Sequence, residues 1–97
     1  MPHRVAPEAE ADLADIWLYI AGESGNPAIA DRLIDTLTDR VLLLGNHPYL
    51  GRRREDLRPG LRSFSVGEYI ILYRIDHGDV LILSVLHGRR DIVALFR

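Results

Sequence analysis

The 97-residue sequence predicts a single α+β domain in which a helical hairpin packs on an antiparallel sheet. Two patterns carry this prediction. Apolar residues recur at helical spacing between residues 7 and 44, and strand patterns separated by tight turns fill residues 61–86. A chain of this length has room for one core, which buries a little over ~60% of the surface of the unfolded chain. We therefore expect one domain over residues 1–97.

The first half of the chain predicts a short strand and then a helix. Residues 3–6 favour a strand, which Pro7 ends, and Pro7 also suits the first position of a helix. The helix should span about residues 7–22 and end at Gly22 and Gly25. Acidic residues at positions 8, 10, 12 and 15 favour its N-terminal dipole. Its apolar stripe has i, i+3, i+4, i+7 spacing and consists of Leu13, Ile16, Trp17 and Ile20.

A second helix should begin at the Asn26–Pro27 pair, which supplies a capping side chain and a helix-initiating proline, and end at Gly45 and Asn46. Its apolar face consists of Ala30, Leu33, Ile34, Leu37, Val41 and Leu44. Because only about four residues join the two helices, they should lie antiparallel. Residues 47–60 then predict a loop with internally paired charges, with a dedicated anion site as the alternative.

Two hairpins predict the sheet. A Gly67–Glu68 pair suits a type II′ turn, and a second turn covers residues 76–78. On the first of the two long strands, strict alternation places Tyr69, Ile71, Tyr73 and Ile75 on one face and Ile70 and Leu72 on the other. On the next strand it places Val80, Ile82 and Leu86 on one face and Leu81, Leu83 and Val85 on the other. Both faces are apolar, so both need a cover. The helical hairpin covers one face, and the chain's own apolar end (residues 92–96) or another protein covers the other.

The composition of the chain argues against several classes of protein and binding site. The chain has no cysteine, no signal-peptide pattern and no apolar run of the ~20 residues that a membrane span needs, so we expect a cytoplasmic protein without membrane contact. The net charge of −2 argues against direct nucleic-acid binding by this chain alone. Its four histidines share no ligand spacing and no nucleotide-binding motif occurs, so we expect no metal and no cofactor.

An ordered set of short motifs carries a family resemblance over nearly the whole chain. It resembles the ParE branch of the RelE/ParE toxins of type II toxin–antitoxin systems, at residues 7–13 with Ile16–Trp17, then at residues 47–52, 57–62, 69–74 and 85–91. The resemblance implies a β-α-α-β-β-β fold, DNA gyrase as the target of a non-enzymatic toxin, and a ParD-like antitoxin. The disordered C-terminal part of such an antitoxin folds onto the toxin.

Two positions depart from the family pattern. Ala6 stands where the family often has Ser, a natural helix cap, and Ile70 stands where the ribosome-dependent RNases of the superfamily carry Arg. Such an RNase, cutting ribosome-bound mRNA, is the alternative function. It would use His87 as base or acid, Tyr73 as a proton donor, and phosphate clamps at Arg74, Arg89 and Arg90. A third hypothesis is a toxin fold without toxicity that acts as a co-repressor with its antitoxin.

The resemblance and the apolar pattern together give two candidate surfaces. For target binding and toxicity we predict the polar end of the sheet and the tail: His87, Arg89, Arg90, Asp91 and Phe96. For antitoxin binding we predict an apolar surface on the helical hairpin and the tail: Trp17, Leu33, Leu37, Ile92, Val93 and Leu95. We predict no catalytic residue.

Overall fold

The computed structural model of the chain describes residues 3–89 and residue 92. Two helices and five strands follow one another in this part as β1 (His3–Val5), α1 (Pro7–Ser24), α2 (Pro27–Asn46), β2 (Arg52–Arg53), β3 (Arg62–Val66), β4 (Tyr69–Asp76) and β5 (Asp79–His87). The predicted β-α-α-β-β-β order is confirmed. The short strand β2 is an addition to it, within the segment predicted as a loop.

The strands form one sheet in the order β1-β5-β4-β3-β2. Strands β2 to β5 pair antiparallel, as predicted. At one edge, however, β1 pairs parallel with β5, with His3 beside Val80 and Val5 beside Ile82. The sheet is therefore mostly antiparallel with one parallel edge strand. Neither described helix is long and apolar enough to cross a membrane.

Both helices start at the prolines that predicted them. Helix α1 ends slightly later than predicted, and α2 ends at Asn46 as predicted. Helix α1 continues through Gly22 and ends at Gly25, whose φ of 66° and N–H bond to the carbonyl of Ala21 make it the C-cap. Helix α2 is capped by Asn26, whose side chain accepts a hydrogen bond from the N–H of Ala28 at 3.0 Å. It continues through Gly45, against which the side chain of His3 packs.

The main core lies between the helical hairpin and one face of the sheet. Leu37 and Leu44 of α2 and Ile71, Tyr73, Val80 and Ile82 of the sheet are fully buried in it. Leu13, Ile16 and Leu33 pack against it from the helices while partly exposed. The hairpin therefore covers one face of the sheet, as its amphipathic pattern predicted.

A bulge in β5 changes which residues lie on that face. Leu72 pairs with Ser84 but the next residue, Tyr73, pairs with Ile82, so Leu83 is an extra residue in the strand. Beyond the bulge the alternation is reversed. Val85 joins the main core and Leu86 lies on the opposite face, so the faces predicted for Val85 and Leu86 were wrong.

The opposite face of the sheet carries a second, smaller cluster. Leu61, Leu72, Leu86 and Ile92 are buried in it, and Leu57, Ile70 and Leu83 pack around them. Leu57 and Leu61 belong to the segment before β3, and Ile92 belongs to the chain's end. The chain therefore provides at least part of the cover that this face needs.

Candidate functional site

A groove of about 610 Å³ lies between α1 and the adjacent ends of β4 and β5. It exists because β1 pairs with β5 only as far as Ile82, so at this edge residues 83–87 have α1 rather than a described strand beside them, while β4 pairs with β5 on the other side. Helix α1 lines it with Asp12, Asp15, Ile16, Tyr19 and Ile20, and the sheet lines it with Glu68, Tyr69, Val85, Leu86, His87 and Arg89. The groove thus combines an apolar floor with charged walls.

Asp12 attaches α1 to this open edge of β5. One carboxylate oxygen accepts hydrogen bonds from the Ser84 hydroxyl group at 2.7 Å and from the Val85 N–H at 2.9 Å. The carboxylate replaces the neighbouring strand that would otherwise accept from Val85. The sequence interpretation assigned Asp12 only to the helix dipole and missed this contact, which depends on where β1 ends.

His87 is the last residue of β5, and both of its ring nitrogens have partners. Its Nδ1 accepts a hydrogen bond from the N–H of Arg89 at 3.1 Å, and its Nε2 lies 3.3 Å from a carboxylate oxygen of Glu68. The ring packs edge-on against Tyr69, with 5.2 Å between the centroids. A neutral histidine that accepts at Nδ1 carries its proton on Nε2, so this imidazole has no free lone pair.

Gly88 holds the end of β5 against the turn between β3 and β4. Its N–H donates to the carbonyl of Glu68 at 2.6 Å, and a Cβ at this position would lie 3.1 Å from the same oxygen. The close approach favours glycine. His87, Gly88 and Arg89 are therefore fixed relative to Glu68.

Three residues predicted for toxicity and two predicted for antitoxin binding belong to the part of the chain that the structure does not describe. Arg90, Asp91 and Phe96 lie outside the described residues, as do Val93 and Leu95 from the antitoxin set. Of the toxicity set, His87 and Arg89 line the groove together, and Arg89 is exposed.

The residues predicted for antitoxin binding on the helices lie outside the groove. Trp17 is half-buried and donates from Nε1 to Asp31 of α2 at 2.8 Å, which joins the two helices. Leu33 is partly buried against the main core, and Leu37 is 0% exposed within it. Ile92 is buried in the second cluster. The side chains of Leu37 and Ile92 therefore stabilise this fold, and Ile16, Tyr19 and Ile20 of α1 face the groove instead.

Of the side chains considered for RNase catalysis, His87 and Arg89 lie together, Arg90 lies outside the described residues, and Tyr73 and Arg74 lie elsewhere. Tyr73 is 0% exposed, and its hydroxyl group donates to the carbonyl of Pro48 at 2.7 Å and accepts from the N–H of Gly51 at 2.8 Å. Burial raises the pKa of Tyr73. Arg74 is on the opposite face of β4, and it is ~17 Å along the strand from Tyr69, the residue beside His87.

Ile70 packs with the apolar side chains of the second cluster. The side chains around it in that cluster are Leu57, Leu61, Leu72, Leu83, Leu86 and Ile92. An apolar surface of this kind stabilises no phosphate charge. The position at which the ribosome-dependent RNases carry an arginine is therefore part of a small core in this chain.

Sequence comparison decides the family. The family model of the ParE toxin of type II toxin–antitoxin systems, parDE, matches residues 4–92. The chain belongs to this ParE toxin family. It is 40% identical over 72 residues to Toxin ParE3 of Caulobacter vibrioides, a match that covers 74% of this chain and 72% of the relative. Toxin ParE1 of the same organism is 35% identical over 86 residues, which cover 89% and 88% of the two chains. Toxin RelE3 of that organism is 31% identical over 85 residues, which cover 87% of this chain and 90% of the relative.

Solved structures confirm the ParE-type fold. A chain from the chromosomal ParDE TA system of P. aeruginosa superposes with a TM-score of 0.79 at 21% identity, over 90% of this chain and 95% of that one. A chain of the toxin–antitoxin complex RelBE2 from Mycobacterium tuberculosis gives a TM-score of 0.63 at 28% identity, over 90% and 99%. The predicted RelE/ParE-like architecture is thus confirmed, including a helical hairpin on a small sheet.

Proposed function

We propose that this ParE toxin inhibits DNA gyrase by binding it, without catalysing a reaction, and that a ParD-like antitoxin neutralises it. Family membership supports the toxin role, and the two solved neighbours come from a ParDE system and a RelBE2 complex. A gyrase inhibitor acts in the cytoplasm. On this proposal the polar end of the sheet around His87 and Arg89 contacts the target.

The geometry of His87 is the observation that carries the non-enzymatic assignment. A general base needs a free lone pair within reach of the proton that it removes. Here Nδ1 is occupied by the N–H of Arg89 and Nε2 faces Glu68. The buried hydroxyl group of Tyr73 and the distant Arg74 add no acid and no phosphate clamp at this end of the sheet.

The groove beside α1 is the place that we propose for the antitoxin segment. Its floor offers Ile16, Tyr19 and Ile20 to apolar side chains, and its walls carry Asp15, Glu68 and Arg89. A disordered segment that folds into such a groove buries apolar surface at the cost of its own ordering. An apolar floor and charged walls suit an amphipathic segment of this kind.

The proposal is tested with purified toxin, free of antitoxin, in two parallel assays. One follows supercoiling of a plasmid by gyrase, and the other follows cleavage of mRNA on translating ribosomes, because one relative is named RelE3. We expect loss of supercoiling, intact mRNA, and restored supercoiling when the cognate antitoxin is added. Cut mRNA with unaffected gyrase would overturn the proposal.

Arg89→Ala, compared with Arg32→Ala, tests the target-binding end. Both arginines are exposed, and Arg32 lies on α2 outside the groove. We expect Arg89→Ala to abolish inhibition of gyrase and Arg32→Ala to retain it, with unchanged thermal unfolding in both. A folded Arg89→Ala variant with full activity would remove Arg89 from the target contact.

A further inference from the structure

Two exposed apolar residues occupy the loop between α2 and β2. The side chains of Tyr49 and Leu50 are 73% and 51% exposed, the former being the most exposed large apolar side chain of the described residues. The loop is bonded to Tyr73, which lies ~13 Å along β4 from Tyr69 in the groove. This is a surface separate from the groove.

The loop is held rigidly although its side chains are exposed. The buried Tyr73 hydroxyl group bonds to Pro48 on one side of the exposed pair and to Gly51 on the other. Arg62 of β3 donates to the carbonyl of Gly51 at 2.8 Å, and its guanidinium group stacks on the Tyr49 ring at 5.1 Å. A Cβ on Gly51 would overlap Tyr73, so the backbone contact requires glycine. Such preorganisation lowers the ordering cost of binding.

The end of α2 that leads into this loop also exposes apolar side chains. A depression of about 410 Å³ is lined by residues 46–50. Leu42 and Leu43 lie one helical turn before Asn46 and His47 and are 48% and 37% exposed. A surface that exposes several large apolar side chains together is typical of a protein-binding site.

The surroundings of this surface are basic in an otherwise acidic chain. Residues 47–62 contain five arginines and two carboxylates, a net charge of +3, whereas the whole chain carries −2. Arg54 is paired with Asp56 at 3.0 Å, and Arg53 lies 3.7 Å from Glu55 with both side chains largely exposed. Arg52 is exposed beside Gly51. An acidic partner therefore complements this surface.

We propose that residues 47–52 dock an acidic segment of the toxin's target protein, which inserts an apolar side chain between Tyr49 and Leu50. Tyrosine and arginine are the residue types that most often dominate protein interfaces. Single-stranded nucleic acid is the less suitable occupant, because Arg62 already covers one face of the Tyr49 ring and the neighbouring side chains are aliphatic. This inference rests on the proposed function only in requiring a protein target, whether or not it is gyrase.

The test measures growth arrest by the chain expressed without antitoxin, over a range of toxin levels quantified by immunoblot. The variants are Tyr49→Ala, Leu50→Ser and Arg52→Glu, all at exposed positions that leave the Tyr73 contacts intact. Leu18→Ser is the matched apolar control, since Leu18 is 63% exposed on α1, and Arg32→Glu is the charge control. Thermal unfolding and binding of the antitoxin establish that each variant is folded.

We expect the three loop variants to need at least about tenfold more toxin for half-maximal arrest, as removal of an interface anchor predicts, while both controls match the wild type. Folded loop variants with full toxicity would overturn the inference. So would a single-stranded DNA oligonucleotide that binds the wild type but not Arg52→Glu, because the partner would then be nucleic acid. A supercoiling assay with purified gyrase distinguishes the proposal that gyrase is the target from the proposal that residues 47–52 dock the target. Growth arrest that depends on Tyr49 without any effect on gyrase would contradict the gyrase assignment and support the docking loop.

Discussion

Tyr73 and Asp12 each use a polar side chain to join segments that are distant in the sequence, and His87 uses one to order the residues directly after it. Tyr73 holds the loop after α2, Asp12 holds α1 to β5, and His87 orders the residues that follow β5. Each contact satisfies backbone groups that no helix or strand satisfies. The candidate surfaces of this toxin are therefore positioned by single side chains, and their substitution has specific consequences.

Tyr73→Phe should lower the free energy of unfolding by about 2 kcal/mol, because it leaves the carbonyl of Pro48 and the N–H of Gly51 without their partner. Urea unfolding measures the change. The control is Tyr19→Phe, because Tyr19 is 63% exposed and its change should stay within about 0.5 kcal/mol. Equal stability of Tyr73→Phe and the wild type would mean that water replaces the hydroxyl group.

The same variant has a signature at high pH. Burial raises the pKa of Tyr73 above the ordinary tyrosine value of about 10. Between that value and the folded pKa, the unfolded chain has released the proton and the folded chain retains it. The contribution of Tyr73 is therefore complete below pH 10 and decreases above it. Urea midpoints measured from pH 8 upward should fall less steeply above pH 10 in Tyr73→Phe than in the wild type, and parallel curves would contradict this cause.

At the scale of the elements, the two helices differ in their N-terminal caps. Asn26 caps α2 with its side chain, whereas Ala6 precedes α1 in extended conformation without a side-chain bond. The sequence comparison with the toxin family already singled out Ala6 as a missing serine. Pro7 and the acidic residues of the first turn start α1 in the absence of this cap.

Ala6→Ser should stabilise the protein by about 1 kcal/mol, because a serine hydroxyl group at this position can accept from an N–H in the first turn of α1, which now has no side-chain cap. For a domain of this size the midpoint of thermal unfolding should rise by about 4–8 °C. Asn26→Ala is the opposite control and should lower stability by a similar amount. An unchanged midpoint in Ala6→Ser would show that the new side chain does not reach the helix N–H groups.

The sequence predicted correctly those elements whose start or turn is set by a neighbouring glycine or proline. The two-residue turn at Gly67 has the positive φ of 58° that a type II′ turn requires, and prolines start both helices as expected. No turn residue or proline in the sequence indicates the bulge at Leu83, because an apolar residue occupies the extra position. Strict alternation therefore assigns Val85 and Leu86 to the wrong faces. Strand β2 has two residues, too few to form a pattern.

The candidate site was predicted only where a motif marked it. His87 and Arg89 came from the family resemblance and do line the groove. Leu37 came from helical spacing, which marks an apolar face but does not distinguish a face buried by this fold from one buried by a partner. Tyr19 and Asp12 became recognisable only once the structure showed that β1 ends beside Ile82. This part of the site depends on long-range pairing rather than on local sequence.

At the scale of the whole molecule, the sheet divides the chain into two cores. The helical hairpin closes the larger one, and Leu57, Leu61 and Ile92 close the smaller one. Ile92 follows the segment predicted for toxicity, so one region of the chain contributes to stability and to the proposed target contact. A deletion of residues 92–97 therefore confounds the two effects, since it removes Ile92 together with the predicted contact residue Phe96.

Single substitutions distinguish the loss of stability from the loss of the predicted target contact, and Ile92→Ala tests the first. Ile92 is 8% exposed against Leu61, Leu72 and Leu86, so truncation should lower the free energy of unfolding by about 2–3 kcal/mol through lost burial and a residual cavity. Phe96→Ala should reduce growth arrest, if Phe96 contacts the target. Leu18→Ala, at an exposed position of α1, is the control for both measurements. An Ile92→Ala variant as stable as the wild type would mean that Ile92 does not close the second core in solution, which would leave this face of the sheet for a partner to cover.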